Sequence, residues 1–273
     1  EARKVGLNVD RLPPEKGDIV RTINMAMRSK GASSEGTSRS TKAIAAIHGS
    51  GVIKENIVAF RGLVSSQHDA LMALLQDHCV NVDLCLIGER GVGKTLLTRR
   101  FAQILGYKRF TTFCFQDMTS RELTARRSTD PSGNTTWQWS PLVEAATSGE
   151  LAVLDGVHRL PPGTLAATVG RLVHDRELDL PDGSRLVCWD HWQALRLNKS
   201  AAELRSAKIY LVHPSFRIIC TAEPPSMGKD WLDEQLMSLF HFVQVDAPSD
   251  AEYAELLSRS KRPPQPSHIR GLH

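Results

Sequence analysis

Apolar positions organise the chain into alternating helical and extended segments from about residue 65 onward. Residues 65–79 (SSQHDALMALLQDHC) open on a capping serine and carry apolar residues at 70, 71, 74 and 75, which predicts an amphipathic helix. NVDLCLIG (81–88) reads as a strand, followed by a glycine-rich turn and a helix over 95–106 (TLLTRRFAQILG) that Gly106 closes. The pattern repeats: RFTTFCF (109–115) as strand, SPLVEAAT (140–147) as helix, and ELAVLDG (150–156) as a strand apolar on both faces, as a buried parallel strand must be. PPGTLAATVGRLVHD (161–175) is a helix with proline in its first turn. Residues 176–187 alternate around Pro181-Asp182-Gly183, a hairpin signal. A polar helical insert (190–208) precedes two more buried strands, 215–223 and 240–246, and a last helix begins at 250. Five core strands interleaved with helices predict a three-layer α/β sheet, with the hairpin as an insert.

Residues 1–60 lack this rhythm. LPPEKGD (12–18) is a turn cluster, 23–30 at most a short helix, and GASSEGTSRST (31–41) has nothing to bury. The organisation expected is a linker or poorly ordered segment over 1–60, a core over 61–247, and the truncated start of a helical lid or tail over 248–273. The chain opens on Glu1 rather than Met and reads as an excerpt of a longer one.

Composition narrows the class. With 41% hydrophobic residues in 273, the chain can bury a sizeable core, yet no apolar run approaches the ~18 residues of a membrane helix. The net charge of +4 is uneven: residues 1–61 hold eleven Lys/Arg against six Asp/Glu, and the remainder is close to neutral. The core therefore has no basic footprint for nucleic acid, and the diffuse N-terminal excess reads as a solvated segment. Five cysteines (79, 85, 114, 188, 220) form no CxxC pair, and 85, 114 and 220 sit in strand-like runs, as buried free thiols of a reducing compartment do.

The turn after the first strand carries the chemistry. GERGVGKT (88–95) fills every required position of G-x-x-x-x-G-K-[ST], with a strand before it and a helix after. Gly88, Gly91 and Gly93 let the backbone of Glu89, Arg90 and Val92 wrap a phosphate with its N–H groups, aided by the positive end of the following helix. Lys94 places a charge between β- and γ-phosphates, and Thr95 offers a hydroxyl to Mg²⁺. The candidate cofactors are ATP and Mg²⁺. A second metal-supporting carboxylate is expected on a neighbouring strand, and LAVLD supplies Asp155 at a strand's C-terminal end, sixty-one positions after Lys94.

Together with that loop, SPLVEAATSGELAVLDGVHR (140–159), RLVHDRELDLPDGSRL (171–186) and HPSFRIICTAEPP (213–225) resemble the dynein-related AAA+ ATPases, the group of midasin and the MoxR proteins. DMTSREL, LDGVHR, HDREL, DGSRL and HPSFRII more narrowly resemble one module of a large mitochondrial member. The resemblance implies a P-loop AAA+ core with ATP on residues 88–95, Mg²⁺ supported by Thr95 and Asp155, ring assembly with other AAA+ modules, and a mitochondrial location. It also marks three departures. Gly156 stands where the group carries a water-orienting Glu, Glu223 where it carries a sensor Asn, and Leu239 where it carries an arginine finger. Glu223 is then the one substitute base within reach of a γ-phosphate, although repulsion from ATP and Asp155 would favour its protonated form.

Two readings follow. The first is an ATP-binding module with weak or partner-dependent hydrolysis, in which Lys94 and Glu223 are the catalytic candidates. The alternative is a catalytically inactive, nucleotide-stabilised structural module of a larger ring. A small-molecule kinase fits less well, because nothing resembles an acceptor site.

Overall fold

The structure, a computed structural model, describes residues 62–129, 133–226 and 231–259. The connector read over 1–60 lies outside the described residues. Helix α1 (Ser65–Cys79) leads into β1 (Leu84–Ile87), α2 (Lys94–Leu105) and β2 (Arg109–Phe113). A short α3 (Ser120–Thr124) and strands β3 (Ala125–Thr129) and β4 (Thr135–Trp139) precede α4 (Pro141–Ser148) and β5 (Leu151–Asp155). After a 3₁₀ turn (Val157–Arg159) come α5 (Thr164–His174), β6 (Leu178–Asp179), β7 (Arg185–Val187), α6 (Trp189–Arg196) and α7 (Ala201–Ser206). β8 (Ile209–Leu211), β9 (Arg217–Ala222), α8 (Glu234–Leu239), β10 (His241–Gln244) and α9 (Asp250–Arg259) complete the order.

The five strands expected from the apolar runs pair in parallel in the order β10-β1-β9-β5-β2. From β1 the chain runs out to β2 at one edge, returns through β5 and β9, and finishes on the other side of β1 with β10. A strand's side chains alternate between faces, so a sheet covered on both sides needs apolar residues at every position. Leu84, Leu86, Leu151, Val153, Ile219 and Val243 join Leu71 and Leu75 of α1 and Leu97, Phe101 and Ile104 of α2 in one cluster. Cys85, Ala152, Leu154, Ile218 and Cys220 join Val143 of α4, Val169 of α5 and Leu236 of α8 in the other. The result is the expected three-layer α/β core.

Helix limits follow local chemistry. Ser140 accepts a hydrogen bond from the Val143 N–H at the start of α4, and left-handed Gly106 and Gly149 close α2 and α4. Four of the five cysteines are buried and none is paired. Burial pushes the Cys114 thiol up to about 12, and burial followed by the charge of Asp77 does the same for Cys79. No helix among the described residues is long and apolar enough to cross a membrane.

The hairpin read at 176–187 is present as β6 and β7, turned at Asp182, whose carboxylate accepts the Ser184 N–H at 2.9 Å. It gains a third, unexpected strand, β8, parallel to β7. The polar insert at 190–208 divides into α6 and α7. A second hairpin, β3–β4, was not anticipated. It accounts for the spacing of Trp137 and Trp139, which share one face of β4. Trp137 stacks under the Arg127 guanidinium at 5.0 Å, and Trp139 packs edge-on against Tyr210 at 4.8 Å while donating to Asp182 at 3.3 Å.

Two ties hold the ends of these elements. Asp83, before β1, accepts the Ile218 N–H on Oδ1 (2.8 Å) and Arg176 Nη1 on Oδ2 (2.7 Å), while its carbonyl accepts the His241 N–H (2.9 Å). One buried residue thus joins the starts of β1 and β9 to the exit of α5 through its carboxylate, and to β10 through its carbonyl. On α9, the Glu252 carboxylate accepts both the N–H (2.8 Å) and the hydroxyl (3.2 Å) of Ser66 at the start of α1.

Candidate nucleotide-binding site

Residues 88–95 bridge the C-terminal end of β1 and the start of α2, where an open α/β sheet presents its crevice. The three loop glycines serve different ends. Gly91 and Gly93 have φ of 83° and 107°, whereas Gly88 lies so close to the backbone that a Cβ there would stand 2.3 Å from the Val245 carbonyl oxygen. Gly93 is the N-cap of α2, and no side chain caps that helix. Its first-turn N–H groups are therefore left without a side-chain cap, as an anion-binding helix start would require. Buried Gln67 of α1 braces the loop from behind, its Nε2 3.5 Å from the Val92 carbonyl.

Lys94 folds over the loop, donating to the carbonyls of Gly88 (2.6 Å) and Glu89 (2.8 Å). Partial burial lowers its pKa, opposed by the charges of Glu223, Asp155 and Glu89. Thr95 is exposed in the first turn of α2. Asp155 ends β5, and its Oδ1 accepts the Thr221 hydroxyl from β9. That hydroxyl also accepts the Gly156 N–H at 3.1 Å, so Thr221 fixes the carboxylate relative to the strand end. The donor set suits Mg-ATP: backbone N–H groups and an ammonium for phosphate oxygens, and a hydroxyl with a carboxylate for a hard cation.

Glu223, just beyond β9, is placed differently from expectation. Its Oε1 accepts Arg90 Nε at 2.7 Å and lies 3.4 Å from His158 Nε2. The Arg90 hydrogen bond holds the carboxyl below the ordinary glutamate range, with help from the charges of His158, Arg90 and Arg159 against a small burial effect. The protonated form expected beside Asp155 is thus not favoured, because the surrounding cations set its charge. Glu223 is an ionised partner of the loop arginine and a poor proton acceptor.

His158, whose place after the Asp155 strand reads in sequence as a solvated helix start, is instead part of this cluster. Its Nδ1 accepts the Glu223 N–H at 3.2 Å, which fixes the tautomer with Nε2–H toward Glu223, and burial lowers its pKa. Gly156 is left-handed, with φ 83° and ψ 42°. Leu239 is buried, its side chain turned into the core cluster that includes α5 rather than toward solvent. Arg90, His158, Arg159 and Glu223 line an open cleft of ≈ 790 Å³ beside the loop.

The sequence pattern of the AAA domain (dynein-related subfamily) matches residues 83–240, more than half of the chain. The chain belongs to the dynein-related AAA family. The match spans β1, the loop, β5 and β9, the elements that carry the candidate phosphate and metal residues. Among relatives of this AAA module, von Willebrand factor A domain-containing protein 8 of Mus musculus is 46% identical over 199 residues, 71% of this chain and 10% of that protein. Protein CbbQ of Hydrogenophilus thermoluteolus is 27% identical over 65% of this chain and 58% of its own length. The chain thus spans a tenth of the first and little more than half of the second. A crystal structure of a candidate ATPase from Cytophaga hutchinsonii superposes with a TM-score of 0.54 at 16% identity, covering 76% of this chain and 54% of that one, and it shares the fold.

Proposed function

We propose that this dynein-related AAA module binds Mg-ATP on residues 88–95 and hydrolyses it weakly or only with help from partner modules. The observation that carries the reading is the loop itself: Lys94 seated over an uncapped helix N-terminus, with Asp155 at the end of β5 close enough for its charge to act on Lys94. In this reading the loop N–H groups and Lys94 hold the β- and γ-phosphates, and Thr95 and Asp155 hold the metal's ligand shell. Mg²⁺ would supply charge neutralisation across the phosphate oxygens. Thr221 keeps Asp155 aimed, and the Arg90–Glu223 pair spans the mouth of the site. Residues 61–247 form the core and 248–273 begin a lid. Its setting is a ring with other AAA+ modules, of mitochondrial location by resemblance.

Gly156 and Leu239 favour weak turnover over an autonomous engine. If the module never turns over, the same site serves the alternative role of a nucleotide-stabilised structural element in the ring. In both readings binding is the common step. Lys94→Ala should weaken nucleotide by tenfold or more, a loss of about 1.4 kcal/mol or greater. Calorimetry with Mg-ATP checks this, and unchanged affinity would refute the site.

The metal role of Asp155 has its own signature. Asp155→Asn keeps the acceptor for Thr221 but removes the charge, so Mg-ATP should weaken more than metal-free ADP. Equal losses, measured by the same titration, would make Asp155 structural.

A further inference from the structure

The 3₁₀ turn after β5 folds the Arg159 side chain back over the strand end. A Cβ placed on Gly156 would lie 3.2 Å from Arg159 Cζ and 3.3 Å from its Nη1. The guanidinium therefore occupies the space that any side chain at 156 would start from, immediately beyond Asp155. Arg159 is exposed and makes no side-chain hydrogen bond or ion pair among the described residues, whereas Arg90, the other arginine lining this cleft, is engaged by Glu223. The charge of Arg159 acts on Glu223, yet no hydrogen bond or ion pair among the described residues holds its guanidinium, which leaves a fork of planar donors on the open cleft. That fork matches phosphate oxygens in geometry as well as charge.

We propose that Arg159 is a γ-phosphate-binding residue supplied by the module itself, and that glycine at 156 is what leaves room for it. The inference rests on the reading of 88–95 as the phosphate loop, since only then does the space beside Asp155 hold the terminal phosphate. It gives Gly156 a positive purpose. A carboxylate there would orient water, whereas a guanidinium lying over the same spot holds the triphosphate, so the module discriminates ATP from ADP without needing to cleave it. Arg159 also does what Leu239 cannot, because position 239 is buried and the cation beside the cleft comes from within the same chain.

The test compares Mg-ATPγS with Mg-ADP by calorimetry on the 273-residue chain, at a concentration where sedimentation shows a monomer. Arg159→Ala should lose about tenfold or more in ATPγS affinity with ADP unchanged. Arg159→Lys should recover part of the loss, since an ammonium keeps the charge but not the fork. Lys94→Ala, run in parallel, should weaken both ligands. Equal loss of both ligands in Arg159→Ala would make the arginine structural, and no loss of either would remove it from the site. Both results overturn the proposal while Lys94→Ala still reports on the loop. A discrimination that appears only when the chain associates would assign Arg159 to a neighbour's nucleotide and overturn it as stated. If Lys94→Ala changes nothing, the loop reading fails and the proposal falls with it.

Discussion

Replacing Asp83 with alanine is expected to lower the unfolding free energy by about 3 kcal/mol, the low end for breaking a buried ion pair because Arg176 keeps 24% of its side-chain surface in water. The carboxylate itself is only 1% exposed and satisfies both an arginine and the Ile218 N–H that opens β9. Removal leaves a half-buried guanidinium without its counter-charge and a buried N–H without an acceptor. Denaturant melts of Asp83→Ala and Asp83→Asn measure the effect. The asparagine should retain part of the stability, since it still offers an acceptor to Ile218. A loss below about 1 kcal/mol in the alanine variant would mean that the sheet holds its strand starts by packing alone.

Steady-state ATP turnover by the chain alone is expected to lie about 10³-fold or more below that of an AAA module with an arginine finger, the lower bound of what such a residue contributes in related phosphoryl transfers. Glu223→Gln should leave this residual rate unchanged, because the glutamate is ionised and bound to Arg90 rather than poised to take a proton. Substantial activity in the parent that disappears in Glu223→Gln would reverse that assignment. Gly156→Glu should not restore a full rate. The new side chain would carry the left-handed strain of position 156, on the order of 1–2 kcal/mol, and would displace or pair with Arg159.

The core was legible because its strands are buried on both faces, so LCLI, LAVLD and RIICTA announce themselves without any need for alternation. The turn at 88–95 was legible as a strand-to-helix junction because its glycines, Gly91 and Gly93, sit at fixed spacing with positive φ. The β3–β4 hairpin was not, since four of the five β3 positions, ARRST, face solvent and give no apolar rhythm to read. Its approach did carry a signal, the Thr119–Glu122 capping box that starts α3. Asp83 and His158 were hidden for another reason. Their partners lie 135 and 65 positions away in sequence, and only the strand order brings them together. The charge state of Glu223 depends on Arg90, whose direction no spacing encodes.

The Glu252–Ser66 contact makes the module's two ends mechanically one. α9 and the start of α1 are clasped directly, and Gln67, the next residue along, touches the 88–95 loop. Tension applied between residues 62 and 259 would load this clasp together with the packing of α1 on the sheet. A pull there would reach the 88–95 loop through Gln67 as well as through the core, so force across α1 and α9 has a short route to that loop.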